Sequence, residues 1–98
     1  MGTQKPLSNS DLQEWLKRNP SWSYADGAIW ANFKFADFTE AFAFLAVVAR
    51  LSEAANHHAK IENLYNRVKL SLTTHDAGNQ VTEKDISLAE KISEWKGL

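Results

Sequence analysis

Leu12, Trp15 and Leu16 stand at i, i+3, i+4 with polar residues between them, the spacing of one apolar stripe on a short helix. Ser10 with Gln13 three residues on reads as a capping box and Asn19-Pro20 as a stop, so the helix is predicted from about Asp11 to Arg18. The next stretch, WSYADGAIWANFKF, has Asp26-Gly27 between arms rich in aromatic and β-branched residues, and Asp-Gly supplies the positive φ of a two-residue hairpin turn. On the second arm Ile29, Ala31, Phe33 and Phe35 alternate with Trp30, Asn32 and Lys34, which predicts a strand with one buried face.

Asp37 with Glu40 repeats the capping-box spacing and opens a helix from Phe38 to about Ala55, roughly 27 Å long at 1.5 Å per residue. This helix carries two apolar stripes, Phe38, Phe42, Leu45, Ala49 and Phe44, Val48, Leu51, Ala55. One can cover a sheet. The other is predicted to meet a second subunit, with Phe44, Val48 and Leu51 at that contact, because a domain this small has little depth for a second buried face. Further on, Ile61 to Leu64 and RVKLSLTT read as strands around a Tyr65-Asn66 turn, with Val68, Leu70 and Leu72 inward. A polar loop, His75 to Gln80, leads to Thr82 and Asp85, a third capping signature, and to a last helix whose core side is Leu88, Ile92 and Trp95. The order is α-β-β-α-β-β-α. It predicts an α+β fold with a four-stranded, antiparallel sheet and helices packed on one face.

Length and composition narrow the functional classes. Ninety-eight residues, 44% hydrophobic, with four tryptophans and five phenylalanines, suit a single domain over 1–98 that folds on its own core. Eleven basic residues against twelve acidic ones, with no basic run, lack the phosphate-neutralising footprint of a nucleic-acid binder. The longest apolar run, Ala41 to Ala49, is far short of the roughly 20 residues that span a bilayer, and MGTQKPLSNSDLQEW has no export-type apolar segment. No membrane and no direct nucleic-acid partner is expected. The absence of cysteine removes disulfides and thiolate metal sites and fits a cytoplasmic location.

All three histidines, His57, His58 and His75, lie in EAANHHAKIENLYNRVKLSLTTHD. The pair falls where the long helix ends and His75 where the fourth strand ends, so one cleft can hold them all. Adjacent helical residues point about 100° apart, so His57 and His58 are poorly placed to chelate one ion, and no HExxH, cysteine ligand or spaced carboxylate supports zinc or iron. Glu53 lies at i, i+4 from His57, where on a continuing helix its carboxylate would orient that ring. From spacing alone, a histidine acid/base site and ordinary polar residues at a helix end and in a loop both stay open.

The same stretch resembles the pterin-4a-carbinolamine dehydratases. Their pattern is a charged residue, three positions, His-His-Pro, five or six positions, an aromatic, nine positions and His. Here it reads Glu53, AAN, His57-His58-Ala59, KIENL, Tyr65, NRVKLSLTT, His75, with every spacing kept and Ala59 in place of the usual proline. FKFADFTEAFAFL and THDAGNQVTEKDISLAEKI are similar to the flanking segments, and the likeness covers about Trp22 to Trp95. It implies the same α-β-β-α-β-β-α fold and dehydration of 4a-hydroxytetrahydropterin to quinonoid dihydropterin without metal or cofactor, serving aromatic amino-acid hydroxylases. His57, His58 and His75 would be the catalytic residues and Glu53 the orienting carboxylate. It also implies a homodimer or homotetramer through helix 38–55. Some members of that family have a second role as dimerisation cofactors of a transcription factor, and partner binding of that kind is the non-enzymatic alternative.

Overall fold

The computed structural model describes residues 5–97. Its elements are α1 (Asn9–Arg18), β1 (Trp22–Ala25), β2 (Ala28–Lys34), α2 (Phe38–Ala55), β3 (Lys60–Leu64), β4 (Arg67–Leu72), a 3-10 turn (His75–Ala77) and α3 (Glu83–Lys96). The sheet is antiparallel throughout, in the order β1-β2-β4-β3. Two hairpins therefore lie side by side through β2 and β4, with α2 as the connection between them. β1 and β3 form the edges.

The turns and caps follow from local chemistry. Asp26 and Gly27 both have positive φ, 53° and 78°, so the first hairpin turns through the primed geometry that suits twisted strands. In the second hairpin Tyr65 takes φ 53°, and the Asn63 side-chain amide donates to the carbonyls of Tyr65 and Arg67 across that turn. α3 has the full capping box, Thr82 Oγ1 accepting from Lys84 N and the Asp85 carboxylate accepting from Thr82 N. At α2 the Asp37 side chain caps Glu40 N, while Glu40 reaches back one residue further than expected, to Ala36 N. At α1 the expected cap is displaced. Ser8, not Ser10, accepts from Asp11 N, and the helix opens at Asn9, because the N-cap residue must be the last one with extended backbone, as Ser8 is.

The core lies between the sheet and all three helices. Trp22, Ile29, Ala31, Phe33, Val68, Leu70 and Leu72 from the strands meet Leu12 and Trp15 of α1, Ala41, Phe44 and Val48 of α2, and Ile86, Leu88, Ala89 and Ile92 of α3 in one cluster. The alternation read from β2 and β4 is what faces it. The two stripes of α2 are assigned in reverse of expectation. Phe44 and Val48 are fully buried, whereas Phe38 and Phe42 are 47% and 57% exposed with their rings 5.5 Å apart. The physical reason is size: small Ala41 and Ser52 flank Phe44 and Val48 on the buried line and let the helix approach the sheet. Phe44 also touches the rings of Phe33 and Phe35, at 5.0 and 5.1 Å between centroids, so Phe44→Ala should cost about 3–5 kcal/mol. Trp95, expected on the core side of α3, is 51% exposed and covers Phe44 from the rim at 5.6 Å. No helix among the described residues is long and apolar enough to cross a membrane.

Candidate active site

The end of α2, the end of β4 and the start of α3 meet at one edge of the core. α2 stops at Ala55 because Asn56 turns left-handed (φ 50°, ψ 43°), the conformation that asparagine and glycine tolerate best. The Asn56 and His57 N–H groups bond back to the carbonyls of Glu53 and Ser52, which closes the helix and throws the histidine pair off its axis. β4 ends at Leu72, and the loop that follows Thr73-Thr74 is clasped at its base by Thr74 N–H donating to Gln80 O at 3.0 Å. His75 begins the short 3-10 turn of that loop. The first turn of α3 supplies the third wall.

His57, His58 and His75 line one cleft of about 310 Å³, together with Thr73, Asp76 and Lys84. That volume is at the lower end of the range for small-molecule sites, about 300–1,000 Å³. A larger hollow, about 490 Å³, lies on the solvent face of the sheet among Lys34, Glu62, Arg67 and Lys69. It contains no histidine, so the smaller cleft is the one equipped for proton transfer near neutral pH. Among the described residues no group of three or more His, Cys, Asp or Glu side chains is arranged to hold a metal ion.

Each histidine is held differently. His57 Nε2 lies 2.5 Å from Asp85 Oδ1, with side chains 11% and 0% exposed. The other oxygen of Asp85 accepts from Thr82 N and from Thr74 Oγ1, each at 2.8 Å, and the Thr74 and Thr82 hydroxyls lie 2.8 Å apart. An ionised carboxylate only accepts hydrogen bonds, so it pairs with a protonated Nε2 of His57, and in the neutral form of the ring this leaves Nδ1 as an acceptor. His58 Nε2 is 3.0 Å from Glu53 Oε1, an exposed pair. The His75 ring makes no hydrogen bond among the described residues, and its loop is held by backbone bonds and by the side chains of Thr73 and Thr74 at its start.

The cleft thus gathers all three predicted histidines. The Glu53–His57 pairing does not form, because Asn56 ends the helix before the i, i+4 relation reaches His57, and Glu53 meets His58 instead. Asp85 takes the place next to His57. It entered the sequence reading only as a helix cap, and its second role depends on a contact across 28 residues that no local pattern encodes. Tyr65, the aromatic of the motif, sits at the tip of the β3–β4 turn and does not line the cleft.

A small α+β protein with a histidine-lined cleft braced by a buried carboxylate is the class that this geometry defines. Comparison with known proteins makes it specific: the chain belongs to the pterin 4 alpha carbinolamine dehydratase family, whose sequence pattern matches residues 5–95. A protein of Chloroflexus aurantiacus, provisionally named a pterin-4-alpha-carbinolamine dehydratase, is 48% identical over 93% of this chain and 97% of its own. One of Prochlorococcus marinus with the same provisional name is 45% identical over 88% of this chain and 90% of its own. The crystal structure of a transcriptional coactivator/pterin dehydratase from Brucella melitensis superimposes with a TM-score of 0.84 at 41% identity, covering 91% of this chain and 96% of that one. A pterin dehydratase-like protein described as a RuBisCO assembly factor in the alpha-carboxysome shares the fold alone, with a TM-score of 0.63 at 23% identity over 76% of this chain and 87% of that one.

Proposed function

We propose that this protein dehydrates 4a-hydroxytetrahydropterin to quinonoid dihydropterin and water by histidine acid/base catalysis, which would recycle the pterin of aromatic amino-acid hydroxylases. The observation that carries the reading is the convergence of His57, His58 and His75 in one cleft, with His57 keyed to buried Asp85. In the reaction the N5–H proton leaves, its electrons form the C4a–N5 double bond, and the C4a–O bond breaks. Hydroxide is a poor leaving group, so an acid must deliver a proton to that oxygen as the bond opens. The Asp85 contact suits His57 to the acceptor role through Nδ1, and His58 or His75 to the donor role. Positioned proton transfer of this kind contributes roughly 10²- to 10⁴-fold. Glu53 would orient His58. The test is to add the protein to 4a-hydroxytetrahydrobiopterin and follow its disappearance; loss no faster than the spontaneous rate would refute the activity.

The stripe of exposed Phe38, Phe42 and Ala49 with half-buried Leu45 supports a second surface role. We read it as the contact of a homodimer or homotetramer through α2, since leaving each large side chain in water forgoes about 1.5–3 kcal/mol. The naming of the Brucella relative as a coactivator favours partner binding through the same surface as the alternative, non-enzymatic reading. Retained partner binding with no turnover would decide for it.

A further inference from the structure

The turn of the first hairpin reaches the histidine loop from behind. Gly27 lies so close to that loop that a Cβ on it would sit 2.2 Å from the carbonyl oxygen of Asn79, a backbone atom with little room to move. On the neighbouring side Thr73 Oγ1 donates to the Gly27 carbonyl at 2.8 Å. The turn is thus fastened to the strand end that enters the loop and pressed against the residue that leaves it. Between these points the loop runs through the 3-10 turn that bears His75, then through Gly78 and Asn79, both at positive φ, 72° and 60°.

We propose that Gly27 is a positioning residue for His75, and that the β1–β2 turn is the strut which holds this histidine in the cleft. His57 and His58 have carboxylate partners. His75 has none among the described residues, so its place depends on the backbone of its loop and on whatever braces that backbone. The positive φ of Gly27 alone would explain a glycine in a tight turn; it does not explain contact with both ends of a catalytic loop. The effect on turnover rests on the proton-transfer role proposed above for His75. The effect on the position of the ring does not.

The test uses the whole chain, with ring resonances of the three histidines read by NMR alongside turnover. Gly27→Ala should shift the His75 ring and the amides of residues 75–79, leave the His57 ring in place, and lower turnover by about 10- to 100-fold, the scale of an ångström-sized misplacement. In a His75→Ala background, Gly27→Ala should add no further loss. Thr73→Val, which removes the fastening without touching the turn's φ, should move the same resonances, and Thr73→Ser should restore them. An unmoved His75 ring in both Gly27→Ala and Thr73→Val overturns the proposal, as does an equal loss from Gly27→Ala with and without His75. If Gly27→Ala does not fold, the Thr73 pair decides alone. If the protein has no dehydratase turnover at all, the spectra still answer for the strut.

Discussion

Replacing Asp85 by Asn changes one atom and reverses the hydrogen-bond polarity at His57. The Asn carbonyl can keep the place of the oxygen that accepts from Thr82 N and Thr74 Oγ1, which leaves the amide nitrogen facing His57 Nε2. That amide donates, so Nε2 must accept, and the ring proton moves to Nδ1. His57 then presents a donor to the cleft where the proposed chemistry needs an acceptor. In a serine protease triad the equivalent wrong-tautomer change costs about 10⁴-fold in kcat, and a loss of roughly 10²- to 10⁴-fold is the expectation here. Stability should suffer much less. Bonds to a charged acceptor are worth about 1.5–3 kcal/mol against 0.5–1.5 kcal/mol for neutral ones, and the first turn of α3 also loses a favourable negative charge, so a deficit of about 1–2 kcal/mol is expected. Against a usual total of about 5–15 kcal/mol the variant should still fold. Turnover at saturating substrate, the urea midpoint and the 15N shifts of the His57 ring measure the three quantities. Turnover within about threefold of the parent, or an unchanged His57 tautomer, would show that Asp85 is a helix cap and nothing more.

Glu53→Gln should reduce turnover only a few-fold with no measurable change in stability, because the His58–Glu53 pair is exposed and such pairs contribute little; a loss as deep as that of Asp85→Asn would assign Glu53 a direct proton-transfer role. Ala59→Pro removes a long, 3.5 Å bond from Ala59 N to Ser52 Oγ and confines His58 to extended backbone, so the unfolding free energy from urea titration should change by less than about 1 kcal/mol and turnover should hold or rise. A collapse of activity there would mean that the exit from α2 departs from the backbone that proline requires. Phe42→Glu, on the exposed stripe, should lower the assembly state in sedimentation while leaving helix content intact, and a parent already monomeric at micromolar concentration would remove the subunit contact altogether.

Much of the fold was legible because its determinants are local. Asp26-Gly27 fixes a primed turn whatever surrounds it, and the two-residue alternation in β2 and β4 leaves only one face that can be buried. The cleft was legible from order alone, since His57 and His58 follow α2 and His75 follows β4. The choice between the stripes of α2 was harder, because both carry phenylalanine and periodicity is blind to which line meets the sheet. The small residues Ala41 and Ser52 beside Phe44 and Val48 were the available signal. Similarly Asn56, an ordinary left-handed helix terminator, marked the point beyond which an i, i+4 relation from Glu53 could not extend.

Asp85 was illegible for a different reason. A helix-capping carboxylate satisfies its local role with one oxygen, and nothing in THDAGNQVTEKD says where the other one points. Its burial carries the information. A fully enclosed carboxylate must be compensated on both oxygens, and here the two threonines and His57 supply that compensation. The same contacts tie the first turn of α3 to His57, just past the left-handed Asn56 that closes α2. The cap that starts the last helix and the brace that orients the candidate base are therefore one side chain, and the place of His57 in the cleft depends on the packing of α3 against the rest of the core as well as on the histidine segment itself.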